Sequence, residues 1–175
     1  MRIIDFTGQE NIRSEGHTSK GDQPKWKQAG NWYKADHMGY EALSEIIVSR
    51  LLAWSDADDF VSYQPVRIHY NGKVVSGCSS RDFMRKGEML IPFERLHRAY
   101  EGRGLAQTLT RVDSPTARIA YTVDFVERVT NLTGVGAYLT SILELDCLTL
   151  NEDRHTNNLA VLRNEETKTF RLCPI

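Results

Sequence analysis

The chain has 175 residues, of which 22 are lysine or arginine and 23 are aspartate or glutamate, so its formal net charge at pH 7 is −1. This length suits one ordinary domain or two small lobes. The hydrophobic fraction of 41% is that of a globular protein, and the balanced charge excludes extensive disorder and a nucleic-acid partner held by bulk charge.

The three cysteines, Cys78, Cys147 and Cys173, are few, odd in number and without metal-ligand spacing. They indicate a reducing interior rather than a disulfide scaffold. The N-terminal segment carries charges where a secretory signal needs an unbroken apolar run, and no stretch is long enough to span a bilayer. We therefore expect a cytoplasmic protein that has no membrane partner.

Short strands are predicted at residues 3–6, 25–27 and 31–35, with a polar, glycine-containing loop over 7–23. In the third strand, alternation places Lys34 on the same face as Trp32. A lysine whose stem lies along an apolar surface can extend its ammonium group into a cleft. Because phosphoryl transfer needs a cation that orients the nucleotide phosphates, Lys34 is a candidate phosphate ligand. The alternative is an ordinary exposed strand lysine.

Apolar residues recur at helical intervals from Gly39 to Trp54, which predicts a helix with one core-facing side. Glu41 and Glu45 lie one turn apart on another side of this helix. Either carboxylate could pair with Lys34 and fix its ammonium group. A hairpin is predicted next, over residues 61–77, because Asn-Gly between alternating residues is the strongest short hairpin signal.

The second half of the chain is predicted to be mainly helical. Helices are expected from Pro92 to about Gly102, from Ser114-Pro115 to about Gly134, and over 135–150. The last helix is apolar nearly all round, which predicts burial on most of its sides. Two strands, at 159–163 and 170–173, are predicted to form a hairpin after it.

A polar loop over residues 150–158 joins the last helix to the first of these strands. Phosphoryl transfer needs a carboxylate that accepts the proton of the acceptor hydroxyl and a neutral oxygen ligand for Mg²⁺. Asp153 and Asn158 supply this pair at the spacing of the protein-kinase catalytic loop, although here the arginine and histidine follow the aspartate. The alternative is a surface loop, since Asp, Asn and Thr also favour caps and turns.

The order Asp-Arg-His-x-x-Asn at 153–158 resembles the inverted catalytic loop of phosphoinositide-type kinases and, most closely, of the bacterial HipA-like serine/threonine kinases. The run Ser-x-Gly-x-Gln-Pro-Lys at 19–25 is similar to the nucleotide-covering segment of the HipA-like family. Residues 76–83 resemble its crossover segment, where backbone groups contact adenine. The resemblance implies an α+β, two-lobed protein-kinase-like fold with a β-rich N-lobe, one main N-lobe helix and a partial helical C-lobe.

The resemblance also implies domain limits and the absence of one metal ligand. The expected N-lobe is 1–78, the linker or crossover is 79–91, and the partial C-lobe is 92–175. In the family, the strand at 170–173 continues into a Phe-Asp-x-Gly type segment whose aspartate is the main magnesium ligand. Because that segment is not in the sequence, we expect an incomplete chain that is inactive alone, either truncated, naturally interrupted or half of a split kinase.

The resemblance implies roles for eight residues. Asp153 acts on the acceptor hydroxyl, His155 supports the loop and Asn158 binds Mg²⁺. The residues expected to bind the nucleotide are Ser19, Gly21, Gln23, Lys34 and Glu41, with Glu41 preferred to Glu45 as the partner of Lys34.

The expected activity is that of an ATP- and Mg²⁺-dependent serine/threonine protein kinase, with a toxin-antitoxin or regulatory role. The expected partners are a protein with a Ser or Thr acceptor and an antitoxin or complementary C-terminal chain, with no direct contact to nucleic acid. One alternative is a non-catalytic nucleotide-binding module that kept the fold and lost the metal-binding aspartate. Another is a phosphoinositide-type lipid kinase, which no basic amphipathic segment supports.

Overall fold

Residues 2–12 and 23–175 are described by a computed structural model. The chain divides into two units, Met1–Phe83 and Met84–Ile175. Each unit has a hydrophobic cluster of its own. The candidate residues Ser19 and Gly21 lie outside the described residues, whereas the other six candidates lie within them.

The first unit is a curled sheet with a helix. Its described elements are β1 (Ile3–Asp5), β2 (Lys25–Gln28), β3 (Asn31–Ala35), α1 (Glu41–Leu52), β4 (Gln64–Tyr70) and β5 (Lys73–Arg81). The strand order is β1-β4-β5-β3-β2, with β1 parallel to β4 and the other pairs antiparallel. The predicted hairpin is confirmed, because Asn71 and Gly72 take the φ values of 49° and 71° that a tight two-residue turn requires.

The two faces of this sheet differ. One face carries the hydrophobic cluster, in which the rings of Phe6 and Trp26 stack with their centroids 4.7 Å apart. Lys34 lies on the other face, because it pairs in register with Cys78 while its neighbour Trp32 pairs with Ser80. The predicted side-by-side placement of Trp32 and Lys34 is therefore confirmed.

Helix α1 is shorter than predicted and buries less of its apolar surface. It begins at Glu41 and ends at Leu52, and its buried residues are Ala42, Ser49 and Leu52. Leu43, Ile47 and Leu51, which the periodicity assigned to the core, are exposed. The apolar residues extend around more than one side of the helix, and a helix lying on a sheet buries only the stripe that faces the strands.

The second unit combines helices with a small sheet. Its described elements are β6 (Glu88–Pro92), α2 (Phe93–Glu101), α3 (Leu105–Leu109), α4 (Pro115–Thr130), α5 (Val135–Thr149), β7 (Ala160–Asn164) and β8 (Phe170–Leu172). The strands are antiparallel in the order β6-β7-β8. The predicted start of α4 is confirmed, because Pro115 is its first residue and the Ser114 hydroxyl accepts a hydrogen bond from the Ala117 N–H at 3.1 Å.

Three features of this part of the chain differ from the sequence predictions. Residues 79–91, expected to be a linker, contain the end of β5 and most of β6, because small and polar residues there still pair as strands. Helix α3 was not predicted. Helix α5 buries one side rather than most sides, since Leu148 is 80% exposed and Leu143 is also exposed.

Candidate functional site

In the first unit, the ammonium group of Lys34 has a fixed set of neighbours. Its Nζ donates hydrogen bonds to Glu45 Oε1 and, at 2.9 Å, to the hydroxyl of Tyr63. The ammonium also lies 4.7 Å from the centre of the Tyr63 ring, within the range of a cation–π contact. The position of this cation is therefore set by one carboxylate and one aromatic ring.

The electrostatics of this group keep the lysine charged. Burial alone would lower the pKa of Lys34, but the negative charge of Glu45 and the hydrogen bonds to Glu45 and Tyr63 raise it above its ordinary value. Burial raises the pKa of the neighbouring Cys78 thiol to about 12. The lysine is therefore a permanent cation near neutral pH, beside a thiol that stays protonated.

The preference for Glu41 as the partner of Lys34 is corrected by the structure, which pairs Lys34 with Glu45. The carboxylate of Glu41 accepts hydrogen bonds of 2.8 to 3.2 Å from the backbone N–H groups of residues 37–40. Glu41 is the first residue of α1, so its side chain folds back to the helix start, where unpaired N–H groups favour negative charge. Glu45, one turn later, faces β3.

A glycine allows β5 to approach the strand that carries Lys34. A Cβ atom added to Gly77 would lie 2.5 Å from the backbone oxygen of Lys34 and 2.7 Å from Cδ1 of Ile68. Real side chains do not tolerate such distances, so only glycine fits between these neighbours. Gly77 thus helps to set the position of the Lys34 backbone.

Gln23 is the described member of the predicted nucleotide-covering segment. Its side-chain nitrogen is buried and makes no hydrogen bond to the described part of the chain. A buried amide without a partner is uncommon in folded proteins. This leaves the Gln23 amide as a free donor next to β2.

In the second unit, the candidate loop follows α5, which ends at Thr149 and is capped by Leu150 in the left-handed conformation. The side chains of Asp153 and Asn158 are exposed. The Asn158 side chain donates a hydrogen bond of 2.8 Å through Nδ2 to the backbone oxygen of Asp153. This contact uses the amide nitrogen of Asn158, so its amide oxygen points away as an acceptor or metal ligand.

His155 lies inside the loop. Its backbone oxygen accepts a hydrogen bond of 2.8 Å from the Asn158 N–H. Its ring Nδ1 lies 3.3 Å from the Asn157 backbone nitrogen, in position to accept that N–H. Both contacts join His155 to other residues of the same loop.

Two carboxylates outside the loop anchor it, and sequence reasoning identified neither. Asp146, buried near the end of α5, accepts two hydrogen bonds from the Arg154 guanidinium at 2.7 and 2.8 Å and a third from the Asn151 amide at 2.7 Å. Glu94, near the start of α2, accepts hydrogen bonds of 2.8 Å from the Thr156 hydroxyl and the Ala106 backbone N–H. Parallel bonds of the Arg154 type are among the strongest in proteins.

The pKa values of both anchors are shifted in the direction that favours the carboxylate form. Burial alone would raise the pKa of Asp146, but the hydrogen bonds from Arg154 and Asn151 lower it below its ordinary value. Hydrogen bonds from Ala106 and Thr156 likewise outweigh burial and lower the pKa of Glu94. The hydrogen bond to Asp146 in turn raises the pKa of Arg154.

Metal-ligand groups are sparse across residues 2–12 and 23–175, which contain no cluster of three or more His, Cys, Asp or Glu side chains suited to a metal ion. The loop itself offers the Asp153 carboxylate and the Asn158 amide oxygen. Mg²⁺ is commonly bound by one or two protein oxygens together with substrate phosphates, so this donor set fits Mg²⁺ bound with a nucleotide rather than a resident metal. None of the described helices is long and apolar enough to cross a membrane.

The fold that carries these two groups is kinase-like, as the sequence predicted. The chain is similar to the crystal structure of the Helicobacter pylori proinflammatory kinase CtkA, with a TM-score of 0.61 and 20% sequence identity. The similarity covers 98% of this chain and 58% of that chain, so this chain spans little more than half the length of CtkA. No family model matches the sequence, and no curated protein matches it.

Proposed function

We propose that the chain is the ATP-dependent phosphotransfer part of a HipA-like serine/threonine protein kinase. The observation that supports this most directly is the hydrogen bond from Asn158 Nδ2 to the Asp153 backbone oxygen. In a kinase-like fold, it connects the first and last residues of the Asp-Arg-His-x-x-Asn motif and leaves their side-chain oxygen atoms available for chemistry.

Three candidate residues, Lys34, Asp153 and Asn158, have one task each in this proposal. Bound ATP supplies the phosphoryl group, and Mg²⁺ bridges and neutralises its phosphates. Lys34 offers a fixed positive charge to the α- and β-phosphates, with Glu45 rather than Glu41 behind it. Asp153 accepts the proton of the acceptor hydroxyl, and Asn158 offers its amide oxygen to Mg²⁺.

The same proposal includes partners and location. The acceptor is a serine or threonine hydroxyl of a protein substrate, in a cytoplasmic toxin-antitoxin or regulatory setting. An antitoxin or a complementary C-terminal chain that adds a metal-binding carboxylate is the expected protein partner. The test of the partner is whether an added chain with a Phe-Asp-x-Gly type segment increases phosphate transfer.

The experiment that tests the activity is Asp153→Ala in the protein expressed from its complete reading frame. Because a general base contributes about 10²- to 10⁴-fold, transfer of labelled phosphate from ATP should fall by at least about 100-fold. The fold should be retained, since the Asp153 side chain is exposed. Glu152→Ala, which removes the neighbouring exposed carboxylate, is the control and should keep full activity. Unchanged transfer in Asp153→Ala would remove this residue from its assigned role.

A non-catalytic nucleotide-binding module is the second candidate. The observation that favours it is the lack, among the described residues, of a carboxylate cluster for a metal ion. In this case ATP should bind and Lys34→Met should weaken binding, yet no phosphate should be transferred even after the complementary chain is added. Transfer that depends on Asp153 would exclude the module.

A further inference from the structure

The first unit contains a cavity of about 440 Å³ that none of the eight candidate kinase residues lines, although four of its wall residues, Ser79, Ser80, Arg81 and Phe83, belong to the segment 76–83 that resembles the crossover. It lies where β4 begins and β5 ends, beside the register pairs Gln64 with Ser79 and Asn31 with Arg81. Phe60, Val61 and Phe83 complete most of its wall. The volume falls in the range of small-molecule sites, which is roughly 300 to 1,000 Å³.

Most of the strand residues that line this cavity, Asn31, Gln64, Ser79 and Arg81, lie on the face of the sheet opposite Lys34, whereas Ser80 lies on the same face as Lys34. Side chains alternate along a strand, and residues paired across two strands share a face. Lys34 pairs with Cys78, whereas Arg81, three positions further along β5, pairs with Asn31. The Arg81 side chain therefore lies on the face of the sheet opposite Lys34.

The wall of the cavity has an uncompensated positive charge. Its described residues include Arg81 as their one cation, and none of them is an aspartate or a glutamate. Within residues 2–12 and 23–175, no acidic side chain forms an ion pair with Arg81, which is exposed. A free guanidinium presents a planar fork of donors that matches a carboxylate or a phosphate.

The remaining groups suit a ligand with an aromatic body. Gln64 is oriented by hydrogen bonds from Arg50 Nη2 to its Oε1 at 3.3 Å and from its own Nε2 to the Ser62 hydroxyl at 3.4 Å. Asn31 donates through Nδ2 to the Ala29 backbone oxygen, which leaves its Oδ1 as an acceptor. Phe60 and Phe83 provide the apolar surface that such pockets use for ring contacts.

We propose that this cavity is a binding site for a small organic anion, an aromatic phosphate or carboxylate, whose charged group contacts Arg81 and whose ring lies against Phe60 and Phe83. The cavity shares no residue with the groups around Lys34 or Asp153, so binding in it can be tested apart from the proposed phosphate transfer. The cavity is larger than inorganic phosphate requires. Its size therefore favours an anion that also carries an organic group.

The test is a titration of the ¹⁵N-labelled full chain with phenyl phosphate, followed by NMR chemical shifts. We expect saturable shifts confined to residues 60–64 and 79–83, and weaker binding of benzoate, inorganic phosphate and phenol. Arg81→Gln should weaken phenyl phosphate binding by at least about tenfold. Lys73→Gln is the matched control, since it removes an exposed cation at the other end of β5 and should leave the affinity unchanged.

Two further variants make the result decisive. Val61→Trp should fill the cavity and abolish binding while Arg81 is retained, and its own spectrum shows whether the unit is folded. Lys34→Met should leave the shifts at 79–83 unchanged. Stronger binding of benzoate would identify a carboxylate rather than a phosphate as the preferred anion. The proposal is overturned if millimolar phenyl phosphate causes no shifts in these segments, if Arg81→Gln binds as tightly as the unchanged chain, or if Lys34→Met alone abolishes binding.

Discussion

The candidate residues of the two units are held in opposite ways. In the first unit, the ammonium group of Lys34 is held directly, because it makes hydrogen bonds to both Glu45 and Tyr63. In the second unit, Asp153 and Asn158 are exposed, and the strong contacts are made by their neighbours in the loop.

This difference determines what a mutation can report. A change at Lys34 alters a proposed phosphate ligand and a folded-state ion pair together, so its effects on binding and stability are mixed. A change at Asp153 removes a chemical group with few structural contacts. A change at Asp146 or Glu94 does the reverse, because it loosens the loop and leaves its proposed chemical groups in place.

Acid should destabilise the second unit more than the first. This difference in stability should be larger than the effect of any single substitution. Hydrogen bonds from Arg171 lower the pKa of Glu88 to about 2, below its ordinary value of 4.5, and the pKa values of Glu94 and Asp146 are lowered as well. A lowered carboxyl pKa gives stability that is present above the ordinary value and lost as the pH falls through the folded-state value. The second unit should therefore lose stability between about pH 4.5 and pH 2.

The stability of the first unit depends less on carboxyl groups with lowered pKa values. Two of its described carboxyls, Asp5 and Glu41, also have lowered pKa values, but Asp5 is exposed and Glu41 is only half-buried. All three tryptophans are in the first unit, whereas the described helices α2 to α5 are in the second. We expect helical circular dichroism to decrease at a higher pH than tryptophan fluorescence changes. Loss of both signals at one pH would contradict this difference.

The largest effect of a single substitution is expected from Asp146→Asn. The side chains of Asp146 and Arg154 are 10% and 26% exposed, and removal of one charge from a largely buried pair leaves the other unpaired. The free energy of unfolding should fall by about 2–3 kcal/mol. Glu144→Gln, on the exposed side of the same helix, should change it by less than about 0.5 kcal/mol. Urea denaturation followed by circular dichroism measures the free energy of unfolding of both variants. Equal effects would mean that the ion pair between Asp146 and Arg154 does not contribute to stability.

These anchors also mark the limit of what the sequence could predict. Strong local signals located elements of the fold, such as the Asn71-Gly72 hairpin and the helix that begins at Pro115. Helix α3 was missed because its five residues make less than two helical turns, too few to establish a period, and strand β6 was missed because its sequence Glu-Met-Leu-Ile-Pro lacks apolar–polar alternation. The loop motif was found because Asp153 and Asn158 are five residues apart.

The supporting residues were missed because their roles depend on contacts between distant parts of the chain. Glu94 is 62 residues from Thr156, and Tyr63 is 29 residues from Lys34. No periodicity or spacing rule connects such pairs. In α5, Glu144 and Asp146 look alike as acids in an apolar helix, and only the folded structure shows that Asp146 is the one buried against Arg154.

The choice between Glu45 and Glu41 gives a smaller, paired test in the first unit. Glu45→Gln removes the charge opposite Lys34 and should lower the free energy of unfolding by about 1–2 kcal/mol. Glu41→Gln weakens only the contacts at the start of α1 and should cost about 0.5–1 kcal/mol. The discriminating measurement is calorimetric binding of Mg²⁺·ADP, which should weaken several-fold in Glu45→Gln and stay unchanged in Glu41→Gln. The opposite order would restore Glu41 as the functional partner.

The smallest expected effect concerns the second anchor of the loop. Thr156→Val keeps the shape of the side chain and removes its hydrogen bond to Glu94, which should cost about 1 kcal/mol or less. Thr140→Val is the control, because the Thr140 hydroxyl bonds only within its own helix, to the Gly136 oxygen at 3.0 Å. Amide hydrogen exchange should become faster at residues 153–158 in Thr156→Val and stay unchanged there in Thr140→Val. If neither variant changes exchange in the loop, Glu94 supports only the start of α3, and the pair of Asp146 and Arg154 holds the loop without it.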